Sequence, residues 1–168
     1  MPGKYLQKAK LSEISKKFHY FQDAVQIRRM SGQDIDKIVE MGSEAPGFKT
    51  GTGAEQFYRL RTLRKWIRDR NGVTLVAMAD GNLVGFVLGH YMAGSRDGYL
   101  SSIVVDERYR SIGAGSSLLK AALKQLRRKG CNHVFGVVKA DNQQTLNFFE
   151  KNGFEIGGNF RYIDTMLP

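Results

Sequence analysis

The chain holds a single cysteine, Cys131, among its 168 residues. That excludes both an intrachain disulfide framework and a metal site built from several thiolates. Its three histidines, His19, His90 and His133, are scattered. They show no His-x-x-x-His spacing, and no Cys-x-x-Cys accompanies them, which argues against a bound metal. No stretch approaches the roughly 18 consecutive apolar residues of a membrane-spanning helix, and residues 1–10 are polar and basic, without the apolar core of a secretory signal. The expectation is a soluble, cytoplasmic protein with no membrane partner. The Gly-Lys-Ser/Thr of a Walker loop is missing, and so is the G-x-G-x-x-G spacing of a dinucleotide fold.

Acidic side chains are the other shortage. Sixteen Asp and Glu face 26 Lys and Arg, giving a formal charge of +10 and a pI near 9.8. Such a surface attracts anions, among them nucleotides, nucleic acid and acidic proteins. Excess cations also simply keep a surface solvated, and charge alone does not choose.

With 42% hydrophobic residues, the length suits one core-bearing domain. Residues 1–24 are Lys-rich, with Tyr5, Phe18, Tyr20 and Phe21 in no clean period, and read as a basic tail or an extra helix ahead of a domain at 25–168. Residues 25–30 predict a strand. Ser31 with Asp34 three positions on is a capping-box-like helix start, followed by Ile35, Ile38, Val39 and Met41 at helical spacing. Residues 42–53 read as a loop. Residues 54–70 predict an amphipathic helix: Phe57, Leu60, Leu63, Trp66 and Ile67 make one stripe, and Arg59, Arg61, Arg64, Lys65, Arg68 and Arg70 fill the rest. A solvated outer side is the favoured reading of those cations, with RNA or an acidic partner as the alternative. Two β-rich runs at 73–79 and 83–92 flank the turn signal Asp80-Gly81-Asn82 and predict a hairpin. A strand at 99–105, a helix at 113–128 closed by Gly130, a strand at 134–139, a helix at 142–151 and closing strands at 154–156 and 162–167 complete an α/β order with helices on both sheet faces.

Chemistry concentrates in YLSSIVVDERYRSIGAG, residues 99–115. Gly113 and Gly115 sit between a strand and a helix. Missing side chains there let backbone N–H groups approach an anion, and the helix N-terminus adds about half a positive charge. Ser116 and Ser117 add hydroxyl donors. A glycine turn that only packs helix on strand is the competing explanation.

The stretch YLSSIVVDERYRSIGAGSSLL resembles the acetyl-CoA-binding motif of the GNAT superfamily, a strand followed by Arg/Gln-x-x-Gly-x-Gly/Ala at a helix start. KADNQQTLNFFEKNGFE, residues 139–155, resembles the same family's Asn-x-x-Ala-x-x-Phe/Leu-Tyr-Glu-Lys-x-Gly-Phe signature. Order and spacing agree, and the resemblance spans residues 25–167. It implies a GNAT fold: a mixed, mostly antiparallel sheet of six to seven strands flanked by about four helices, with two strands splayed to admit the cofactor. It implies acetyl-CoA as that cofactor and an amine as acceptor. The backbone of Ile103, Val104 and Val105 is expected to pair with the pantetheine arm. Arg110, Ser111, Ile112, Gly113, Ala114, Gly115 and Ser116 are expected to hold the pyrophosphate, Asn142 to touch the arm, and Phe149 to pack on the cofactor.

Two departures matter. Many relatives carry a Tyr as thiolate acid where this chain has Phe149, and some carry a base where it has Val137; neither residue ionises. Tyr99 is the remaining catalytic candidate, although an unperturbed tyrosine ionises only near pH 10. His90 and Tyr91 alternate faces of their strand, which makes one of them a candidate to line an acceptor cleft, with ordinary strand packing the favoured reading of both. The primary reading is direct acetyl transfer to a primary amine without a covalent enzyme intermediate, in wording closest to protein N-terminal acetyltransferases. The alternative is a GNAT-fold binding module with impaired catalysis that holds RNA or an acidic protein.

Overall fold

The structure is a computed structural model that describes residues 25–45, 57–110, 112–161, 163 and 165. The tail at 1–24, most of the loop at 42–53, and Ser111 lie outside the described residues. The elements run β1 (Gln26–Arg29), a 3-10 turn (Gly32–Asp34), α1 (Ile35–Glu44), α2 (Leu60–Arg68), β2 (Gly72–Ala79), β3 (Asn82–Met92), β4 (Asp97–Val105), a 3-10 turn (Glu107–Tyr109), α3 (Ala114–Arg128), β5 (His133–Gly136) and α4 (Gln143–Lys151).

The strands form one sheet in the order β1-β2-β3-β4-β5. Neighbours are antiparallel up to β4, and β5 joins β4 in parallel. Parallel neighbours need a long crossover, and α3 supplies it. The hairpin turn holds Asp80 at φ 51 and Gly81 at φ 76, the paired positive φ values that match the twist of a two-residue hairpin.

Successive residues of β2 point to opposite faces. Val73, Leu75 and Ala77 meet Leu118, Leu119, Ala122 and Leu126 of α3. Val76 lies on the other face with Phe86 and Leu88, under Ile35 and Ile38 of α1 and Leu63 of α2. Both faces are covered, which is why β2 and β3 read as near-continuous apolar runs. Leu63 is fully buried, while Arg59, Arg61, Arg64, Lys65 and Arg68 are exposed, in accord with a solvated cationic side.

Several boundaries differ from expectation. Helix α1 runs through Gly42 to Glu44 before its chain turns extended at Ala45. Helix α2 begins only at Leu60, because Arg59 is extended, and Phe57 precedes the helix with its ring 5.8 Å from Phe86. Among the described residues the sheet has five strands, where six to seven were expected. The expected strand at 154–156 is absent because Phe154 closes α4: its N–H donates to Phe149 O at 3.0 Å and its ring packs 5.0 Å from Phe149. Gly157 and Gly158 follow, with no side chain to pack, and Phe160 and Ile163 are exposed. Of the expected strand at 162–167, the described Ile163 and Thr165 are not in a ladder.

Ser31 and Asp34 fasten β1 to α1. The buried Asp34 carboxylate accepts from Arg28 Nη1 and Nη2, each at 2.7 Å, from Ser31 N–H at 2.7 Å and from Ser31 Oγ at 2.9 Å. The Arg28 hydrogen bonds, aided by those from Ser31, outweigh desolvation and lower its pKa from 3.8 to about 2. A carboxyl lowered on folding contributes stability above its unfolded value, and that contribution is lost as pH falls through the folded value. Asp34→Asn is therefore expected to cost about 2 kcal/mol at neutral pH. The difference from wild type should shrink between about pH 4 and pH 2, which urea unfolding across that range measures.

Candidate active site

Strands β4 and β5 hydrogen-bond from the pair Asp97 and His133 as far as Leu100 and Gly136. There β5 ends, while β4 continues to Val105. The expected strand at 134–139 stops short, and Val137, Val138 and Lys139 turn away. The two chains splay and enclose a cleft of about 590 Å³ between residues 100–105 and residues 136–139, with Phe148 and Phe149 of α4 along it and Arg110, Gly115 and Ser116 at one end. Along the cleft, β4 has no neighbouring strand on its β5 side among the described residues, so its main-chain groups face the opening in the pattern that an extended ligand pairs with. Val105 O is used already, by Arg110 Nε at 3.0 Å.

A β-bulge sits at the narrow end. Leu88 pairs with Ser102 and Gly89 with Leu100, which leaves Ser101 as the extra residue, its Oγ donating to Leu88 O at 3.0 Å. A bulge re-aims the groups beside it. Ser102 lines the cleft and is buried, and its Oγ has no hydrogen-bond partner. A hydroxyl of this kind is one that a ligand or a water in the cleft can satisfy.

At the wide end, Asp106 caps the turn after β4. It accepts from Arg108 N–H at 3.0 Å and Arg108 Nη2 at 2.8 Å, and these bonds hold its carboxyl at about 2. Gly113, the N-cap of α3, has φ 86, where a side chain would be strained. The first N–H groups of α3 lack intrahelical partners and sit at the positive end of its dipole. Open strand edge, orphan hydroxyl and cationic helix terminus together suit a long ligand with an anionic end.

Comparison with known proteins identifies that ligand class. Residues 39–154 match the acetyltransferase (GNAT) family. The chain belongs to the GNAT acetyltransferase family. It is an acyl-CoA-dependent N-acetyltransferase, with acetyl-CoA as cofactor. It is similar to an N-alpha-acetyltransferase of Sulfurisphaera tokodaii, 24% identical over 140 residues that cover 77% of this chain and 79% of the relative. An uncharacterised N-acetyltransferase of Methanocaldococcus jannaschii is 30% identical over 129 residues, 76% of each chain. Among solved structures, Ard1 from Thermoplasma volcanium matches with a TM-score of 0.65 and 28% identity, over 80% of this chain and 85% of that one.

Within this GNAT chain the residues singled out in the sequence divide. Ile103, Val104, Val105, Arg110, Gly115, Ser116, Asn142 and Phe149 line the cleft. Ile112, Gly113 and Ala114 do not, and Ala114 is fully buried. Gly115 has a packing reason beyond any ligand: a Cβ there would lie 3.2 Å from the Phe148 ring. Asn142 is the N-cap of α4, its Oδ1 accepting from Thr145 N–H at 3.1 Å, which leaves its amide nitrogen to donate to a ligand. Phe149 packs edge-on to Phe148 and Phe154. Val137 is 75% exposed on the cleft wall. Tyr99 stands one residue before the point of divergence, its ring 5.3 Å from Phe135. His90 is its ladder partner on the α1–α2 face, whereas Tyr91 is buried against the α3 face. The serine pair at 101–102 escaped sequence reasoning, although two hydroxyls inside an otherwise apolar strand were the available signal.

Because Ser102 Oγ is buried without a partner, Ser102→Ala should leave stability unchanged or raise it by up to about 1 kcal/mol. The same change should weaken acetyl-CoA binding. Thermal melting with calorimetric titration reads both, and a clear drop in Tm would refute a ligand-directed hydroxyl.

Proposed function

We propose that this chain transfers acetyl directly from acetyl-CoA to the α-amine of a neutral or acidic peptide, with no covalent enzyme intermediate. The observation that carries this reading is the splay of β4 from β5 beyond Leu100 and Gly136, with the Tyr99 and Phe135 rings just below it. Acetyl-CoA supplies a thioester carbonyl that a neutral amine attacks. The residues that would hold it are the unpaired backbone from Ser101 to Val105, the N-terminus of α3 with Ser116 and Arg110, and the side chains of Asn142, Phe148 and Phe149. Ser102 Oγ and the main chain at the bulge line the cleft and would serve as donors to its carbonyl oxygen. No cysteine or serine–histidine pair lies in the cleft among the described residues, in accord with direct attack. Phe149 carries no proton to give the thiolate, and water can protonate it instead.

Acceptor class follows from charge. A net charge of +10 repels polyamines and aminoglycosides and favours a neutral or acidic amine. The relative named an N-alpha-acetyltransferase supports an α-amine as the acceptor group. The second reading, a binding module without catalysis, has no observation that favours it.

Titration of acetyl-CoA into the protein is expected to show binding that Ser116→Glu weakens by at least tenfold. Ser116 is exposed in the first turn of α3, where a carboxylate favours the helix yet opposes a phosphate. Thiol release should be faster with an acidic peptide amine than with spermidine. Absence of binding by the folded wild type would overturn the reading.

A further inference from the structure

The described ionisable side chains that line the cleft are Arg110, Lys139 and Lys151. All are cationic at neutral pH and none accepts a proton there. An acceptor amine arrives largely as an ammonium and must shed a proton before it attacks. The lining side chains offer that proton no acceptor, which leaves solvent and the groups that stand just beyond the lining.

On the α1–α2 face at the point of divergence, His90 of β3, Tyr99 of β4 and Phe135 of β5 occupy consecutive ladder positions. Directly opposed residues on one face of an antiparallel pair have Cβ atoms about 5 Å apart. His90 and Tyr99 are therefore side by side, and Ser102, paired with Leu88, continues the row toward the cleft. Beyond His90 stands Asp69, just past the end of α2, with its Oδ2 3.7 Å from His90 Nδ1. Asp69 is itself fixed, because its Oδ1 accepts from Asn71 N–H at 2.8 Å. His90 is half-buried, and among the described residues no Lys or Arg pairs with His90 or Asp69. Imidazole is the side chain whose ordinary pKa suits proton exchange near neutrality.

We propose that His90, oriented by Asp69, receives the acceptor's proton through the Tyr99 hydroxyl. The inference rests on the acetyltransferase reading of the cleft. One ammonium N–H bond breaks, and its proton passes to the Tyr99 oxygen as the Tyr99 proton passes to the free nitrogen of His90. The neutral amine then forms the C–N bond as the C–S bond breaks. Its second proton passes through water to the departing thiolate, which leaves as coenzyme A thiol, and His90 returns the first to solvent. His90 and Asp69 act through Tyr99 and are positioning residues. A second pair, His133 Nδ1 with Asp97 Oδ1 at 3.0 Å, flanks the same row beyond Phe135. It is separated from Tyr99 by a ring that cannot carry a proton, and it serves as the internal control.

The test is the pH dependence of thiol release from acetyl-CoA with an acidic tetrapeptide bearing a free α-amine, Ala-Glu-Glu-Leu, for wild type, His90→Gln, Asp69→Asn and His133→Gln. His90→Gln should lower kcat roughly 10–100-fold, leave KM for acetyl-CoA unchanged and abolish the acid limb of the kcat/KM profile. Asp69→Asn should lower kcat less, and His133→Gln should keep the limb. Retained acetyl-CoA binding by each variant reports an intact fold. A wild type that turns over and a His90→Gln variant that keeps both rate and limb would overturn this inference alone. A wild type that binds acetyl-CoA but releases no thiol with any amine would overturn the acetyltransferase reading on which it stands.

Discussion

The cleft depends on a parallel strand pair that hydrogen-bonds over only four residues. Had β5 continued beside β4, residues 101–105 would spend their outward main-chain groups on a ladder, and nothing would be left for a ligand. The crossover that makes the pair parallel is α3, whose N-terminus follows β4 directly. One topological choice therefore sets the open edge and the positive helix end side by side. The bulge at Ser101 adds the third feature, turning β4 where it leaves its partner.

The sequence carried the elements better than their ends. Period and turn signals placed the four helices, the hairpin and the cofactor strand, because each is an apolar pattern bounded by capping or glycine residues. It misjudged the strand at 154–156: Phe154 looks like a strand residue locally, and only the α4 terminus and its contact with Phe149 decide otherwise. The short β5 was invisible for a similar reason, since Val137 and Val138 have high strand propensity and leave the ladder only because of the splay. In the cleft, the residues lining it from Ile103 to Ser116, with Asn142 and Phe149, were legible from two spaced motifs. Ser102 was not, because a hydroxyl acquires meaning only once its lack of a partner is known, and that is a property of packing.

Charge is distributed with some separation. The carboxylates at Asp34 and Asp106 are tied to arginines and steady the entries to α1 and the cofactor turn. The exposed arginines of α2 lie outward on the face that carries Tyr99 and His90. Each cation beside a cleft repels one kind of amine more than another, so the surface charge contributes to acceptor choice before any direct contact is made.

The contact between Gly115 and Phe148 makes the two helices that border the cleft a single steric locus. A methyl group at position 115 has nowhere to go unless the ring at 148 retreats, and a smaller side chain at 148 opens space that glycine cannot fill. Drift at either position is thus constrained by the other. A change in how long a cofactor arm the cleft admits would be reached more readily by paired substitution at 115 and 148 than by any single step along the wall.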